Sequence, residues 1–233
     1  MLLPQPLTEG VLLRRWQRFL AEVRLPSGAT VVAHVPNSGR LTGVAIPGNR
    51  CLLAPAFGGK LAYRVEVVEA GGVLVGINTL RANALAEEAL AAGVLQLAGL
   101  GAPYRVLREK GPVPGSRFDL CLEDAAGPFW LEVKNVTLVA GGVGLFPDAV
   151  TSRGTKHLRL LAAQARAGVR AAVVYVVQRA DAQAVRAAGE IDPAYAQAAA
   201  EAAAGGVRFY ALRVQVAPPR LIPSHTLPVA PGV

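Results

Sequence analysis

The sequence predicts two domains, a small β-barrel followed by an α/β domain. Three observations predict it. Short strands broken by turn residues run to about residue 78; the rhythm then changes to helices alternating with strands; and 52% of the 233 residues are hydrophobic, enough for a sizeable core. The formal net charge of +8 makes a polyanion the natural partner, because each Lys or Arg that neutralises a phosphate releases counterions. Arginine kept for solubility alone produces the same count.

The first domain reads as strands at 11–24, 30–35, 50–54, 60–69 and 73–77. Pro-Ser-Gly, Pro-Asn-Ser-Gly, Pro-Gly-Asn, Phe-Gly-Gly and Gly-Gly separate them, and these are turn sequences. Five strands in so short a stretch point to a barrel of the OB type, although an open meander satisfies the same periodicity. The domains are expected to span 1–79 and 80–233.

The second domain opens with a helix over 79–97, where Leu80, Ala84, Leu85, Leu90, Val94 and Leu97 recur at helical spacing and Thr79 is available as a cap. Strands follow at 104–108, 117–123 and 129–138. A helix over 152–167, a buried strand over 171–177, an Ala-rich helix over 193–204 and a strand over 207–216 complete an α/β alternation.

Cys51 and Cys121 each lie in an apolar run, which fits buried free thiols and a reducing cytoplasm better than a disulfide framework or a zinc site. The longest apolar stretch, near 171–177, is too short to span a bilayer, and the N-terminus has no targeting pattern. A soluble cytoplasmic protein with no membrane partner is expected. The sequence leaves a homo-oligomer open.

Arg117-Phe-Asp-Leu-Cys-Leu-Glu, a turn at Asp124-Ala-Ala-Gly-Pro and Phe129-Trp-Leu-Glu-Val-Lys-Asn read as a hairpin. A turn centred between Ala125 and Ala126 sets Asp119 opposite Glu132, so Asp119, Glu132 and Lys134 share one face. The other face then carries Phe118, Leu120, Leu122, Phe129, Leu131 and Val133. Two adjacent carboxylates repel unless a cation lies between them, and hard oxygens suit Mg²⁺ or Mn²⁺. The Val133 carbonyl and Glu88, on the preceding helix, are candidate further ligands. Lys134 is placed to orient water or to stabilise charge on a phosphodiester. The same alternation also describes a solvated face with a Glu-x-Lys ion pair, and on pattern alone that is the more economical description. Lysine usage tilts the balance: Lys60, Lys110, Lys134 and Lys156 are the chain's only lysines, so one kept at 134 or 156 implies a need for a compact ammonium.

Basic residues form two groups. Arg14, Trp16 and Arg18 alternate onto one face of the first strand, suited to phosphate contact and base stacking, with Arg40 in a nearby turn. Arg153, Lys156 and His157 fall at i, i+3 and i+4 on one helix face, and the preceding run Gly141-Gly-Val-Gly-Leu-Phe-Pro-Asp either aims that helix at a phosphate or forms a mobile loop. No nucleotide-cradling glycine motif occurs, and His34 and His225 lack partners at ligand spacing.

The blocks Arg14-Arg-Trp-Gln-Arg-Phe-Leu, Pro36-Asn-Ser-Gly-Arg-Leu-Thr-Gly, Asn78-Thr-Leu-Arg-Ala-Asn, Arg117-Phe-Asp, Glu132-Val-Lys-Asn-Val-Thr-Leu and Phe146-Pro-Asp-Ala-Val-Thr-Ser-Arg-Gly-Thr-Lys-His-Leu resemble the sugar fermentation stimulation protein A family. The resemblance implies an N-terminal OB-fold joined to a PD-(D/E)xK nuclease-like domain, non-specific DNA binding and a regulatory role in maltose metabolism. It matches Asp119 to the motif aspartate, Glu132 and Lys134 to its E-x-K, and Glu88 to the helix glutamate. Phe118 stands where the motif is named for proline, and Ser38 where the turn block often has a second one. Two function classes follow: a metal-dependent phosphodiesterase acting on DNA, or a non-catalytic DNA-binding regulator on the same scaffold.

Overall fold

Turn chemistry organises the first domain of the structure, a computed structural model that describes residues 1–57, 59–108, 110–112 and 117–230. Gly58 of the expected Phe-Gly-Gly turn and residues 231–233 of the expected second domain lie outside the described residues. Six strands form it: β1 (Thr8–Trp16), β2 (Leu20–Arg24), β3 (Thr30–His34), β4 (Arg50–Pro55), β5 (Tyr63–Ala70) and β6 (Val73–Gly76). Their order is β3-β2-β1-β4-β5-β6, and a parallel pairing of Ala33 with Tyr63 and His34 with Arg64 joins β3 to β5. That pairing closes β1 to β5 into a barrel and rules out the open meander. Alternate residues such as Leu12, Ala21, Val23, Leu53 and Val65 point inward to fill it.

The expected strand over 11–24 is instead a hairpin. Gln17 and Arg18 take left-handed φ values of 48° and 62°, and Trp16 pairs with Leu20 across the turn. The period-two pattern continues through the reversal, and neither turn residue is the Gly or Asn that announces positive φ, so nothing local marked the break. Arg14 and Trp16 lie on β1 as expected, but Arg18 sits in the turn and not on their face.

A second six-stranded sheet builds the α/β domain. It contains β7 (Arg105–Arg108), β8 (Leu120–Asp124), β9 (Gly127–Val136), β12 (Arg170–Val177), β14 (Arg208–Ala217) and β15 (Arg220–Leu227), in the order β15-β14-β12-β9-β8-β7. A small sheet of β10 (Leu138–Ala140), β11 (Val143–Phe146) and β13 (Ala184–Ala187) stands beside it. β9, β12 and β14 run parallel, so the chain must cross over between them, and α2 (Ser152–Arg166) and α3 (Pro193–Ala204) lie on those crossovers. Leu158, Leu161, Tyr195 and Ala199 pack with Val173, Tyr175 and Val177 on one side of the sheet. On the other side α1 (Ala82–Ala91) lays Leu85, Ala86 and Ala89 on Leu131, Val174 and Leu212. A strand covered on both faces reads as a continuous apolar run, as 171–177 does.

Three element boundaries differ from expectation. The helix expected over 79–97 is one 3₁₀ turn (Thr79–Arg81) followed by α1, which stops at Ala91; Gly93, with φ 71°, turns the chain away. Its cap is Asn78, whose side chain accepts from the Leu80 N–H, and not Thr79. The strand expected over 129–138 breaks at Thr137, between β9 and β10. Gly141 and Gly142 make the tight turn between β10 and β11, and Thr151 caps α2 by accepting from the Gly154 N–H. β10, β11, β13 and β15 were not expected, being short or at a sheet edge.

The domains are pinned together. Asp148 accepts from the Leu41 N–H at 2.8 Å, and a Cβ on Gly39 would fall 2.4 Å from the same carboxylate. Gly76 donates to the Gln178 carbonyl at 2.8 Å, and Thr79 Oγ1 donates to the Pro36 carbonyl at 2.9 Å. Cys51 and Cys121 are buried free thiols, and burial pushes Cys51 up to about 12. Among the described residues no helix is long and apolar enough to cross a membrane.

Candidate metal centre and nucleic-acid cleft

The β8–β9 hairpin places the site. Leu120 pairs with Leu131 and Asp124 with Gly127 around the two-residue turn Ala125–Ala126, so the register is the expected one. Asp119 immediately precedes β8, and its Oδ2 accepts from the Val133 N–H at 2.8 Å, which holds the carboxylate beside β9. Asn83 of α1 donates to Asp119 Oδ1 at a long 3.4 Å. β9 is a central strand, so Glu132 is 2% exposed.

Glu132 Oε1 receives two donors, Lys134 Nζ at 2.5 Å and His157 Nδ1 at 2.6 Å. Its Oε2 is buried without a hydrogen-bond partner among the described residues. The two carboxylates respond oppositely. Burial, reinforced by the charge of Glu132, raises Asp119 above its ordinary value. Burial also works to raise Glu132, but the His157 hydrogen bond and the Lys134 ammonium outweigh it and hold Glu132 low. Without a cation, Asp119 is therefore the carboxylate more ready to take a proton.

A cleft of about 510 Å³ opens between the domains over this centre. Arg18, Asn37, Ser38 and Gly39 line it from the barrel; Leu80, Asn83, Asp119, Val133, Lys134, Asp148, Val150 and Arg153 line it from the α/β domain. The strained turn thus delivers Arg18 to the cleft, where it donates to the Ser38 carbonyl. Arg15, given no role by the sequence, fixes the loop beneath: its guanidinium donates to the carbonyls of Arg18, Asn37, Gly39 and Arg40.

The predicted residues separate into groups. Asp119, Glu132, Val133 and Lys134 converge, with Arg153 and Arg18 on the cleft walls. His157 shares the α2 face with Arg153 but points at Glu132 and packs edge-on against Phe118. Lys156 is exposed and does not line the cleft. Arg14 lies over the Trp16 ring at 4.8 Å and pairs with Glu22, while Arg40 is exposed. Glu88 is elsewhere: its carboxylate binds the Met1 amine at 2.8 Å, and Asn83 is the α1 side chain that reaches Asp119. Helical spacing explains this, since residues five apart lie on different sides of a helix. Phe118 also departs from expectation, packing on Trp130 at 5.6 Å on the Glu132 side, because it lies before β8 and escapes the strand's alternation. Asp148 and Asn83 were missed; both stood in the quoted blocks, but only the meeting of the domains gives them a role.

Comparisons with known proteins agree with this two-domain fold. Residues 13–77 match the SfsA N-terminal OB domain, and residues 80–220 match the sugar fermentation stimulation protein RE domain. A sugar fermentation stimulation protein homolog of Geobacter sulfurreducens is 46% identical over 235 residues, covering 100% of both chains. One of Alkalilimnicola ehrlichii is 48% identical over 237 residues, covering 98% of this chain and 99% of its own. The structure of Pyrococcus furiosus SfsA in complex with Ca²⁺ superposes with a TM-score of 0.89 at 29% identity, covering 99% of each chain. An OB domain followed by an RE domain, with relatives matched end to end at this identity, places the chain in the sugar fermentation stimulation protein family.

Proposed function

We propose that the protein binds DNA by its backbone, without reading base sequence, and holds a divalent cation between Asp119 and Glu132 in a PD-(D/E)xK-like centre for phosphodiester hydrolysis. The observation that carries this reading is Glu132 Oε2, a buried anionic oxygen with no hydrogen-bond partner among the described residues, beside a second carboxylate. Leaving such an atom unsatisfied is costly, and a hard cation satisfies it. The donor set fits Mg²⁺ or Mn²⁺, and the Pyrococcus furiosus relative is a Ca²⁺ complex. Among the described residues no three His, Cys, Asp or Glu side chains form a metal-binding group, so the remaining ligands fall to the Val133 carbonyl, water and phosphate oxygens.

A bound cation there supplies Lewis-acid polarisation of a phosphate oxygen and a more acidic water. The chain's own residues do the rest. Lys134 presents a compact ammonium where negative charge grows. Arg18 and Arg153 neutralise flanking phosphates from opposite walls. Lys156, Arg14, Trp16 and Arg40 extend the basic surface outside the cleft. Glu88, tied to Met1, is not among the proposed ligands.

One observation favours a second reading, a regulator that binds DNA without cutting it: Glu132 Oε1 is already occupied by the Lys134 ammonium and a hydrogen bond with His157. A nuclease assay with Mg²⁺ and Mn²⁺ on single-stranded, duplex and branched DNA separates the two. Metal-dependent cleavage lost in Lys134→Ala, with binding retained, supports hydrolysis; binding without cleavage supports the regulator. Both share a metal premise tested by calorimetric titration with Mn²⁺. Asp119→Asn is expected to lose the metal-induced rise in Tm while the metal-free protein becomes no less stable, because the amide keeps the Val133 hydrogen bond and removes charge repulsion from Glu132. Undiminished Mn²⁺ binding in an Asp119→Asn, Glu132→Gln variant overturns the centre.

A further inference from the structure

The most exposed large apolar side chains among the described residues are Phe57, Val150 and Leu80, at 80%, 73% and 65%. Single exposed hydrophobics need no explanation, but two of these three line one polar cleft, that of Asp119 and Lys134. Neither is on a slack segment. The Leu80 N–H donates to Asn78 Oδ1 at 3.0 Å, and Thr79 is tied to the Pro36 carbonyl. Val150 lies between Asp148, bound to the Leu41 N–H, and Thr151, whose N–H donates to Asp192 at 2.7 Å. Leu80 enters from the middle of the 3₁₀ turn and Val150 from the segment before α2.

Charge complements these apolar groups. Arg153 has no side-chain partner among the described residues, and Arg18 uses its guanidinium only on the Ser38 carbonyl. The cleft volume, about 510 Å³, is that of a pocket enclosing one ligand-sized group. A base stacked and paired inside a duplex cannot bring its apolar faces to Leu80 and Val150. An unpaired nucleotide can, with its flanking phosphates on the two arginines.

The geometry points to an unpaired nucleotide, in single-stranded, frayed or extruded DNA, as the occupant of the cleft, its base against Leu80 and Val150 and its phosphates on Arg18 and Arg153. This rests on the nucleic-acid reading above and narrows its substrate class. The test is anisotropy titration of the full chain with a fluorescent single-stranded oligothymidylate and a blunt duplex of equal length, across a salt series. Wild type is expected to bind the single strand more tightly. The Leu80→Ser, Val150→Ser double variant is expected to weaken single-strand binding roughly tenfold and duplex binding less than about twofold, with an unchanged salt slope because no charge is removed. Leu80→Phe is expected to retain single-strand affinity, which separates apolar contact from a folding defect. Equal affinity for the two forms in wild type, or equal losses in the double variant, overturns the unpaired-nucleotide assignment and leaves DNA binding standing. Failure of wild type to bind either form overturns both.

Discussion

The barrel and the α/β domain bring side chains to the same cleft by opposite means. In the α/β domain Glu132 and Lys134 ride on β9, a central strand whose neighbours fix its position and whose register fixes which side chains face the site. The barrel delivers Arg18 from a reversal between β1 and β2, on backbone that costs about 1–2 kcal/mol per non-glycine residue in the left-handed region. Sheet interior supplies rigidity at no local strain but only for residues the pleat already faces. A turn reaches further and must be braced, as the Arg15 guanidinium braces the carbonyls around it. Glu132 and Lys134, proposed to work at a metal centre, thus sit on the strand, and Arg18, proposed to meet a phosphate, sits on the turn.

The largest expected effect breaks the rigid side. Lys134→Met leaves Glu132 nearly buried with the ammonium, one of its two hydrogen-bond partners, gone, and is expected to cost about 3 kcal/mol in urea unfolding at neutral pH. A loss within experimental error would show that the pair contributes nothing and that β9 holds the site by packing alone. Next in size is the joint between the domains. Gly39→Ala puts a methyl 2.4 Å from Asp148, and is expected to destabilise by about 1–3 kcal/mol unless the carboxylate moves. Combining it with Asp148→Ala tests the contact, because the double variant should lose less than the sum of the singles.

On the strained side, Gln17→Asn with Arg18→Gly suits the left-handed turn and is expected to stabilise by about 1 kcal/mol. If the proposed DNA binding uses Arg18 on a phosphate, the same variant should flatten its salt dependence by about one unit. Stability gained with the salt slope unchanged would remove Arg18 from the interface. The smallest effect lies away from the cleft. Asp124 is held well below the ordinary carboxylate value, first by its hydrogen bonds to Arg170. A depressed folded-state value stabilises above the unfolded value of about 4 and is lost as pH falls below it. Acid unfolding should accordingly be shallower in Asp124→Asn than in wild type.

Much of the site's local geometry was legible in order along the chain. The two-residue turn at Ala125–Ala126 determined the β8–β9 register, and with it the meeting of Asp119, Glu132 and Lys134, because side-chain direction on a strand has a period of two. The buried strand over 171–177 and the helix starting at Pro193 were equally local, one a continuous apolar run and the other an Ala-rich run, to which the structure adds the Asp192 cap. Arg18 was misplaced because positive φ leaves no mark on Gln or Arg. Glu88 was misplaced because a carboxylate on a helix says nothing of its neighbour until the N-terminus has packed there. Gly39, Asp148, Leu80 and Val150 acquire meaning only where the barrel meets the sheet domain, from residues some 70 to 110 positions apart. Periodicity and turn residues encode what a segment does to itself. Which segments then face one another is decided by the burial of two cores and the hydrogen bonds at their joint, and no window of sequence contains that information.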